Sequence, residues 1–412
     1  IFISYKMNQN FAQNLIKNTF NYPFDKGSFS NLIIEIFKNF KKSNLFENQI
    51  AKKLPNNLND YISDYKIVEK FKDFEEEEII VFYAKLKSAK IVESNRSIQR
   101  HIAKNIMDLY NCNNVLVAYY AKNYEDWRFS LIQKFQSIDI KNKKIKIQTD
   151  FSELKRFSFL VGKNEPNHTA QSQLSPLIVS EKKFLINDIK SAFSVEKVTK
   201  DFFEKYKKLC FKYEDQINNI KSNDKNIYNM FLQNNIDSIN FAKKILGQIV
   251  FLYFLQKKGW LGIKRGDDGK FKRWGEGPKN FLRRLYNKEY CNYNNFFNDV
   301  LEPLFYVGLS SEQSENIYPK LNCKMPFLNG GLFEPINNYN WSETDIEIDN
   351  SLICETLDVF DQFNFTVNEE DPLESEVAVD PEMLGKVFEN LLPENLRQDI
   401  GIYYTPRLVV QY

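Results

Sequence analysis

Ile79-Ile80-Val81-Phe82-Tyr83-Ala84-Lys85-Leu86 is the stretch on which the fold turns. β-Branched and aromatic residues in a run of this length, bounded by polar clusters, predict a strand. Immediately upstream, Ile67-Val68-Glu69-Lys70-Phe71 predicts a partner strand, joined to it by the acidic turn Glu75 to Glu78. Downstream, helical spacing from about Ser97 to Tyr110 separates the pair from Val115-Leu116-Val117-Ala118-Tyr119-Tyr120. Two more strands are expected at Trp127 to Phe135 and Arg156 to Val161. The order strand-strand-helix-strand-strand-strand defines an α+β unit over residues 59–170.

That order invites a nuclease-like reading. Metal-dependent restriction nucleases carry an Asp on one strand and Glu-x-Lys on the next, because a divalent cation needs hard oxygen ligands and a Lys stabilises charge on the phosphate. Asp64 fits the first position, but the second strand reads Ala84-Lys85-Leu86-Lys87, with Lys where the Glu belongs. Glu93 lies too far along to replace it without a bulge. The expectation is a nuclease-like mixed sheet without a complete site. An active metal-dependent nuclease in residues 60–161 and an unrelated α+β recognition domain are the alternatives.

The flanks are helical. Within residues 1–58, Phe11, Leu15, Ile16 and Thr19-Phe20 form one apolar face, and Leu32, Ile33, Ile36, Phe37 and Phe40 another, with Pro23 and Gly27 between them. Residues 171–379 are expected to form a mainly helical connector. In it Ser194 caps a helix carrying Val195, Val198, Phe202, Tyr206 and Leu209, and a second helix, Ile239 to Lys257, is apolar nearly all round and hence buried. Histidines offer little chemistry: His168 reads as a turn residue and His101 as a solvent-facing helix residue.

At 412 residues, 43% hydrophobic and 15% aromatic, the chain has material for two or three packed domains. Its net charge of +2 hides an uneven distribution, since Trp341 to Ile400 holds seventeen acids against two bases. The acidic block is expected to be solvated, and the basic remainder leaves nucleic acid open as a partner. Five widely spaced cysteines and two histidines argue against a zinc site and fit a reducing, cytoplasmic setting. The longest apolar run, Ile249 to Leu255, is far shorter than the roughly 20 residues a bilayer span needs, so no membrane partner is expected.

One basic stretch stands out. Lys264, Arg265, Lys270, Lys272, Arg273, Lys279, Arg283 and Arg284 are interleaved with Phe271, Trp274 and Phe281 and with four glycines. Lys and Arg that neutralise phosphates supply sequence-independent affinity, which makes Lys264, Arg265, Lys272, Arg273, Arg283 and Arg284 the candidate contacts to double-stranded DNA. A solvated surface loop is the alternative. Further on, Pro326-Phe327-Leu328-Asn329-Gly330-Gly331-Leu332-Phe333-Glu334 lacks the strand and the Gly-Lys-Ser/Thr of a phosphate cradle and is expected to be a tight turn packed on the connector.

Near the end, Asp380-Pro381-Glu382 is a helix start, with Asp at the N-cap and Pro at the first helical position. The helix is expected to run to Leu392. After a spacer comes Gly401-Ile402-Tyr403-Tyr404-Thr405-Pro406, where Thr405 caps a second helix of which six residues remain. The chain, which opens at Ile1, is therefore expected to be cut inside an element.

Leu384-Gly385-Lys386-Val387-Phe388-Glu389-Asn390-Leu391-Leu392 followed by that Tyr-Tyr-Thr-Pro box resembles the entry to the methyltransferase domain of type IIG restriction-modification enzymes. The stretches Asp126 to Leu131, Arg156 to Gly162, Glu165 to Ala170, Ile249 to Leu261 and Pro326 to Glu334 resemble the same family. The resemblance implies a parent that transfers a methyl group from S-adenosylmethionine to the amino group of a flipped adenine in DNA. It implies that residues 380–412 are the truncated entrance of an α/β methyltransferase domain. There Tyr403, Thr405 and Pro406 would touch the cofactor, and no catalytic residue for the transfer would lie in this chain. A non-enzymatic DNA-recognition or scaffold region is the rival expectation.

Overall fold

The computed structural model describes residues 2–43, 54–134, 138–141, 144–147, 154–181, 183–328, 330–366 and 373–381. Its elements run α1 (Phe2–Phe20), α2 (Lys26–Ile36), β1 (Lys41–Lys42), β2 (Ile62–Lys72), β3 (Glu78–Leu86), α3 (Ala89–Glu93), α4 (Arg96–Tyr110), β4 (Asn114–Ala121) and β5 (Asp126–Lys134). Next come β6 (Ile138–Lys141), β7 (Lys144–Ile147), β8 (Leu154–Gly162), α5 (His168–Val179), α6 (Ile186–Ser191), α7 (Val195–Asn223), α8 (Lys225–Gln233) and α9 (Ser238–Lys258). Last are α10 (Phe281–Tyr286), β9 (Ile317–Tyr318), β10 (Cys323–Lys324), α11 (Asn350–Phe360) and β11 (Glu374–Glu376). The class is α+β, as the sequence predicts.

Two compact units result. The first holds Ile1–Val198 together with Gln362–Asn364 and Glu369–Ala378; the second holds Thr199–Asp361, Phe365–Asn368 and Val379–Tyr412. The helices before residue 58 thus pack into the same unit as the sheet.

The first unit is built on a mixed sheet of order β1-β2-β3-β4-β5-β8-β11. β3 and β4 are parallel and joined through α4, β8 and β11 are parallel, and the other neighbours are antiparallel. Successive side chains of β3 serve opposite faces. On one face Ile80 and Phe82, with Val115, Val117 and Tyr119 of β4, belong to one buried cluster with Ile102, Ala103, Ile106 and Met107 of α4. On the other face the core is aromatic: Phe20 meets Trp127 edge-on at 5.2 Å, Phe24 stacks on Tyr120 at 4.2 Å and Phe37 on Phe71 at 4.3 Å. A fully buried ring such as Phe20 contributes about 1.5–3 kcal/mol by leaving water.

The helices begin and end where their side chains dictate. Asp25 caps α2 by accepting from the Ser28 amide at 2.8 Å, and that hydrogen bond holds its carboxyl below the ordinary range. Asn95 caps α4, and Asn111 in the left-handed region ends it. Phe11 departs from the expected stripe of α1 and is 55% exposed, while Ala12, Ile16 and Phe20 are buried.

Two features of this unit were not anticipated. β6 and β7 form a separate antiparallel hairpin. More consequentially, the expectation that the acidic block is solvated fails at Glu374, which is 2% exposed. β11 adds to the edge of the sheet, with Glu374, Ser375 and Glu376 opposite Arg156, Phe157 and Ser158 of β8. The carboxylates are buried because arginines of the sheet receive them.

The second unit is helical, apart from the short β9–β10 pair. α9 is long and apolar enough to cross a membrane, yet 72% of its apolar window is buried, so core packing accounts for its composition. Phe202 and Tyr206 of α7 pack on Phe360 of α11 at 5.6 and 6.3 Å. The Pro326 to Glu334 stretch, of which Asn329 lies outside the described residues, packs on α9: Gln248 donates to the Leu332 carbonyl at 2.9 Å, and Phe251 meets Phe333 at 5.8 Å. At the far end Asp380 and Pro381 are described, whereas the remainder of the expected helix and the whole Gly401 to Pro406 box, with Tyr403, Thr405 and Pro406, lie outside the described residues.

Candidate functional site

The basic stretch becomes a hairpin at the end of α9. Gly259 stops the helix at φ 70°, where a side chain is strained, and a Cβ there would sit 2.3 Å from the Gly275 carbonyl oxygen. That closeness lets the chain fold back, because the amides of Gly275 and Gly277 both donate to the Gly259 carbonyl, at 3.1 and 3.0 Å. Beyond it Ile263 pairs with Lys324 and Arg265 with Phe271.

The structure divides the six predicted DNA contacts. Lys264, Arg265, Lys272 and Arg273 are exposed on the hairpin. Arg265 lies over the Phe271 ring at 4.1 Å and Lys264 over Tyr290 at 3.9 Å. Alongside, two exposed indoles, Trp260 and Trp274, stand 6.5 Å apart, with Lys258 over the first and Lys324 over the second. Arg283 and Arg284 are half-buried and paired with carboxylates. Arg283 donates to Asp358 at 2.7 Å and to Asp361 at 2.8 Å, and Arg284 to Glu289 at 2.5 Å.

A second assembly of charges lies under α4 in the first unit. Arg128 of β5 and Arg156 of β8 are 1% and 2% exposed, buried within the sheet. Arg156 donates through Nε to Glu374 at 2.6 Å and through Nη1 to Gln99 Oε1 at 2.6 Å. Arg128 donates to the Val92 and Glu93 carbonyls, to Ser158 Oγ at 3.0 Å and to Glu376 at 3.3 Å. From α4, Arg100 reaches Glu374 at 2.8 Å and Arg96 reaches Glu376 at 3.5 Å. Burial pushes Arg156 down to about 10, with Glu374 opposing the shift and the neighbouring Arg128 and Arg96 adding to it. Beside this layer opens a cleft of about 560 Å³ whose lining includes Lys90, Arg96, Arg100 and Glu374.

Sequence reasoning missed this layer. The expected strands Trp127 to Phe135 and Arg156 to Val161 give Arg128 and Arg156 no role, and the signal available is a single Arg inside each of two largely apolar runs.

The nuclease expectation finds little chemistry to draw on. Asp64 does face Lys85 across the β2–β3 ladder, but it is exposed. Glu93 is also exposed, and its carboxylate accepts the Tyr124 hydroxyl at 2.8 Å. Among the described residues no group of three or more His, Cys, Asp or Glu is placed to hold a metal ion.

Comparison with family models, with curated proteins and with solved structures finds no match to this chain.

Proposed function

We propose that this chain supplies the connector and a DNA-facing scaffold of a site-specific adenine DNA methyltransferase of a restriction-modification system. The observation that carries the reading is the contact between two of the stretches that resemble that family. Ile249 to Leu261 and Pro326 to Glu334 meet through Phe251 and Phe333, next to the Gln248–Leu332 hydrogen bond. They form one packed connector, and the basic hairpin leaves from its end. Double-stranded DNA is the partner to which Lys264, Arg265, Lys272 and Arg273 offer phosphate contacts.

S-adenosylmethionine would supply the methyl group, and by the family resemblance Tyr403, Thr405 and Pro406 are the residues that would hold it. The transfer itself is assigned to no residue of this chain. The test is methyl transfer from labelled S-adenosylmethionine to DNA by the protein of the full reading frame, with the modified base identified. Methylated adenine, lost in Tyr403→Ala, is the expected result. DNA binding without any transfer would leave a recognition scaffold, a reading that the exposed Trp260–Trp274 pair amid cations favours. Neither binding nor transfer would remove both.

A further inference from the structure

We propose that the Trp260–Trp274 pair at the foot of the basic hairpin stacks on an unpaired base of DNA. The inference deepens the reading of the hairpin as the DNA-facing element and rests on it.

Exposure is the first argument. Trp260 and Trp274 are 36% and 42% exposed, and their ring centroids stand 6.5 Å apart. Apolar side chains exposed singly are ordinary, whereas those exposed together and rimmed by charge mark an interaction site.

Fixation is the second. Gly259 precedes Trp260 and Gly275 follows Trp274, and the Gly275 amide donates to the Gly259 carbonyl at 3.1 Å. The Trp260 amide donates to the Leu255 carbonyl at 3.1 Å, which ties the clasp to the last turn of α9. The backbone carrying both indoles is therefore held in place before a ligand arrives, and less ordering remains to oppose binding.

Charge is the third. Lys258 lies over the Trp260 ring at 4.6 Å and Lys324 over the Trp274 ring at 5.7 Å, and the Lys264–Tyr290 and Arg265–Phe271 contacts repeat the pattern along the hairpin. Among the described residues none of Lys258, Lys264, Arg265, Lys272, Arg273 and Lys324 enters an ion pair, in contrast to Arg283 and Arg284. Rings interleaved with cations are the chemistry of single-strand binding, in which the rings take base faces and the cations take phosphates. A lysine over an exposed ring is weakly held, so it yields the ring to a base and moves to the adjoining phosphate. In closed duplex each base face is covered by its neighbours, and only an unstacked base offers the indoles a partner.

The experiment measures binding of the full chain, by fluorescence anisotropy at one salt concentration, to a labelled oligodeoxythymidine strand and to a labelled, fully paired duplex. Quenching of tryptophan emission is read alongside. The single strand is expected to quench that emission, and Trp260→Ala and Trp274→Ala should each lower its affinity about tenfold while changing duplex affinity by about twofold or less. Trp274→Phe, which keeps a ring, should recover part of the loss, and the melting temperature of each variant reports on folding. Single-strand affinity unchanged in both alanine variants, or falling no more than duplex affinity, would overturn the proposal. Duplex binding that still weakens in Lys272→Glu/Arg273→Glu would then leave the hairpin's phosphate contacts standing without the stacking. No binding of either DNA would remove both.

Discussion

Arg156 and Glu374 form a buried ion pair, Nε to Oε2 at 2.6 Å, across 218 residues of sequence. They are also register partners of β8 and β11, so backbone pairing and side-chain charge select the same alignment. The Arg156 amide donates to the Leu373 carbonyl at 2.8 Å and the Val377 amide to the Ser158 carbonyl at 2.9 Å, bracketing the three-residue strand. A strand so short has few ladder bonds, and the ion pairs hold what the backbone alone would not.

Removing the carboxylate should therefore be severe. Glu374→Ala leaves Arg156 buried without its carboxylate, and loss of one partner of a buried pair costs about 3–5 kcal/mol. Urea denaturation of the variant should show that loss, and Glu374→Gln, which keeps the shape, should lose less. Replacing the pair together, as Arg156→Met with Glu374→Leu, should recover part of the loss, since Arg100 still gives up its contact with Glu374. A loss below about 1 kcal/mol in Glu374→Ala would mean that the network contributes little.

The hairpin and α10 should separate in a binding assay. Lys272→Glu/Arg273→Glu places acids on an exposed hairpin and should lower duplex affinity about tenfold or more, with a shallower salt dependence and an unchanged melting temperature. Arg283→Ala should do the reverse, because its guanidinium is committed to Asp358 and Asp361: a stability loss of about 1 kcal/mol and little change in DNA affinity. Equal effects of both on binding would contradict the division of the basic stretch.

Gly259→Ala tests how the hairpin is anchored. At φ 70° the new side chain is strained, and its Cβ would meet the Gly275 carbonyl, so the return of the chain over α9 must shift. A loss of about 1–3 kcal/mol is expected, together with weaker DNA binding through the displaced hairpin. Wild-type stability in the variant would show that the turn relaxes freely.

What the residues disclosed in advance follows from how each element is stabilised. Ile79 to Leu86 was legible as a strand because its apolar, β-branched and aromatic run is buried from Ile79 to Ala84 in the folded unit. α4 and α9 were legible because one carries an apolar stripe and the other is apolar nearly all round. Glu374-Ser375-Glu376 was not legible, since three polar residues in an acidic block carry no strand pattern and their partners are arginines set by distant chain. The same reason hid the arginine layer: Arg128 and Arg156 are individually ordinary, and only the sheet brings them beside α4. Within the basic stretch, composition marked eight cations, but the ion pairs of Arg283 and Arg284 depend on where Asp358, Asp361 and Glu289 fold.

The last prediction concerns Glu302 in the second unit. It is fully buried, with Oε1 accepting the Tyr339 hydroxyl at 2.6 Å and Oε2 without a hydrogen-bond partner. Burial raises its carboxyl well above the ordinary value of 4.5; the Tyr339 hydrogen bond opposes this and Asp345 adds to it. The folded chain therefore keeps a proton that the unfolded chain gives up. Its contribution is present in full below 4.5 and declines as pH rises from there towards the folded value, so stability falls with pH across that window. Glu302→Gln keeps the shape and an acceptor for Tyr339 but cannot ionise in the unfolded state. Its stability relative to the parent, from urea denaturation across a pH series, should match near pH 4.5 and pull ahead as pH rises. Parallel profiles would mean that Glu302 ionises equally in both states, and the buried carboxyl would then have to be solvated in the folded protein.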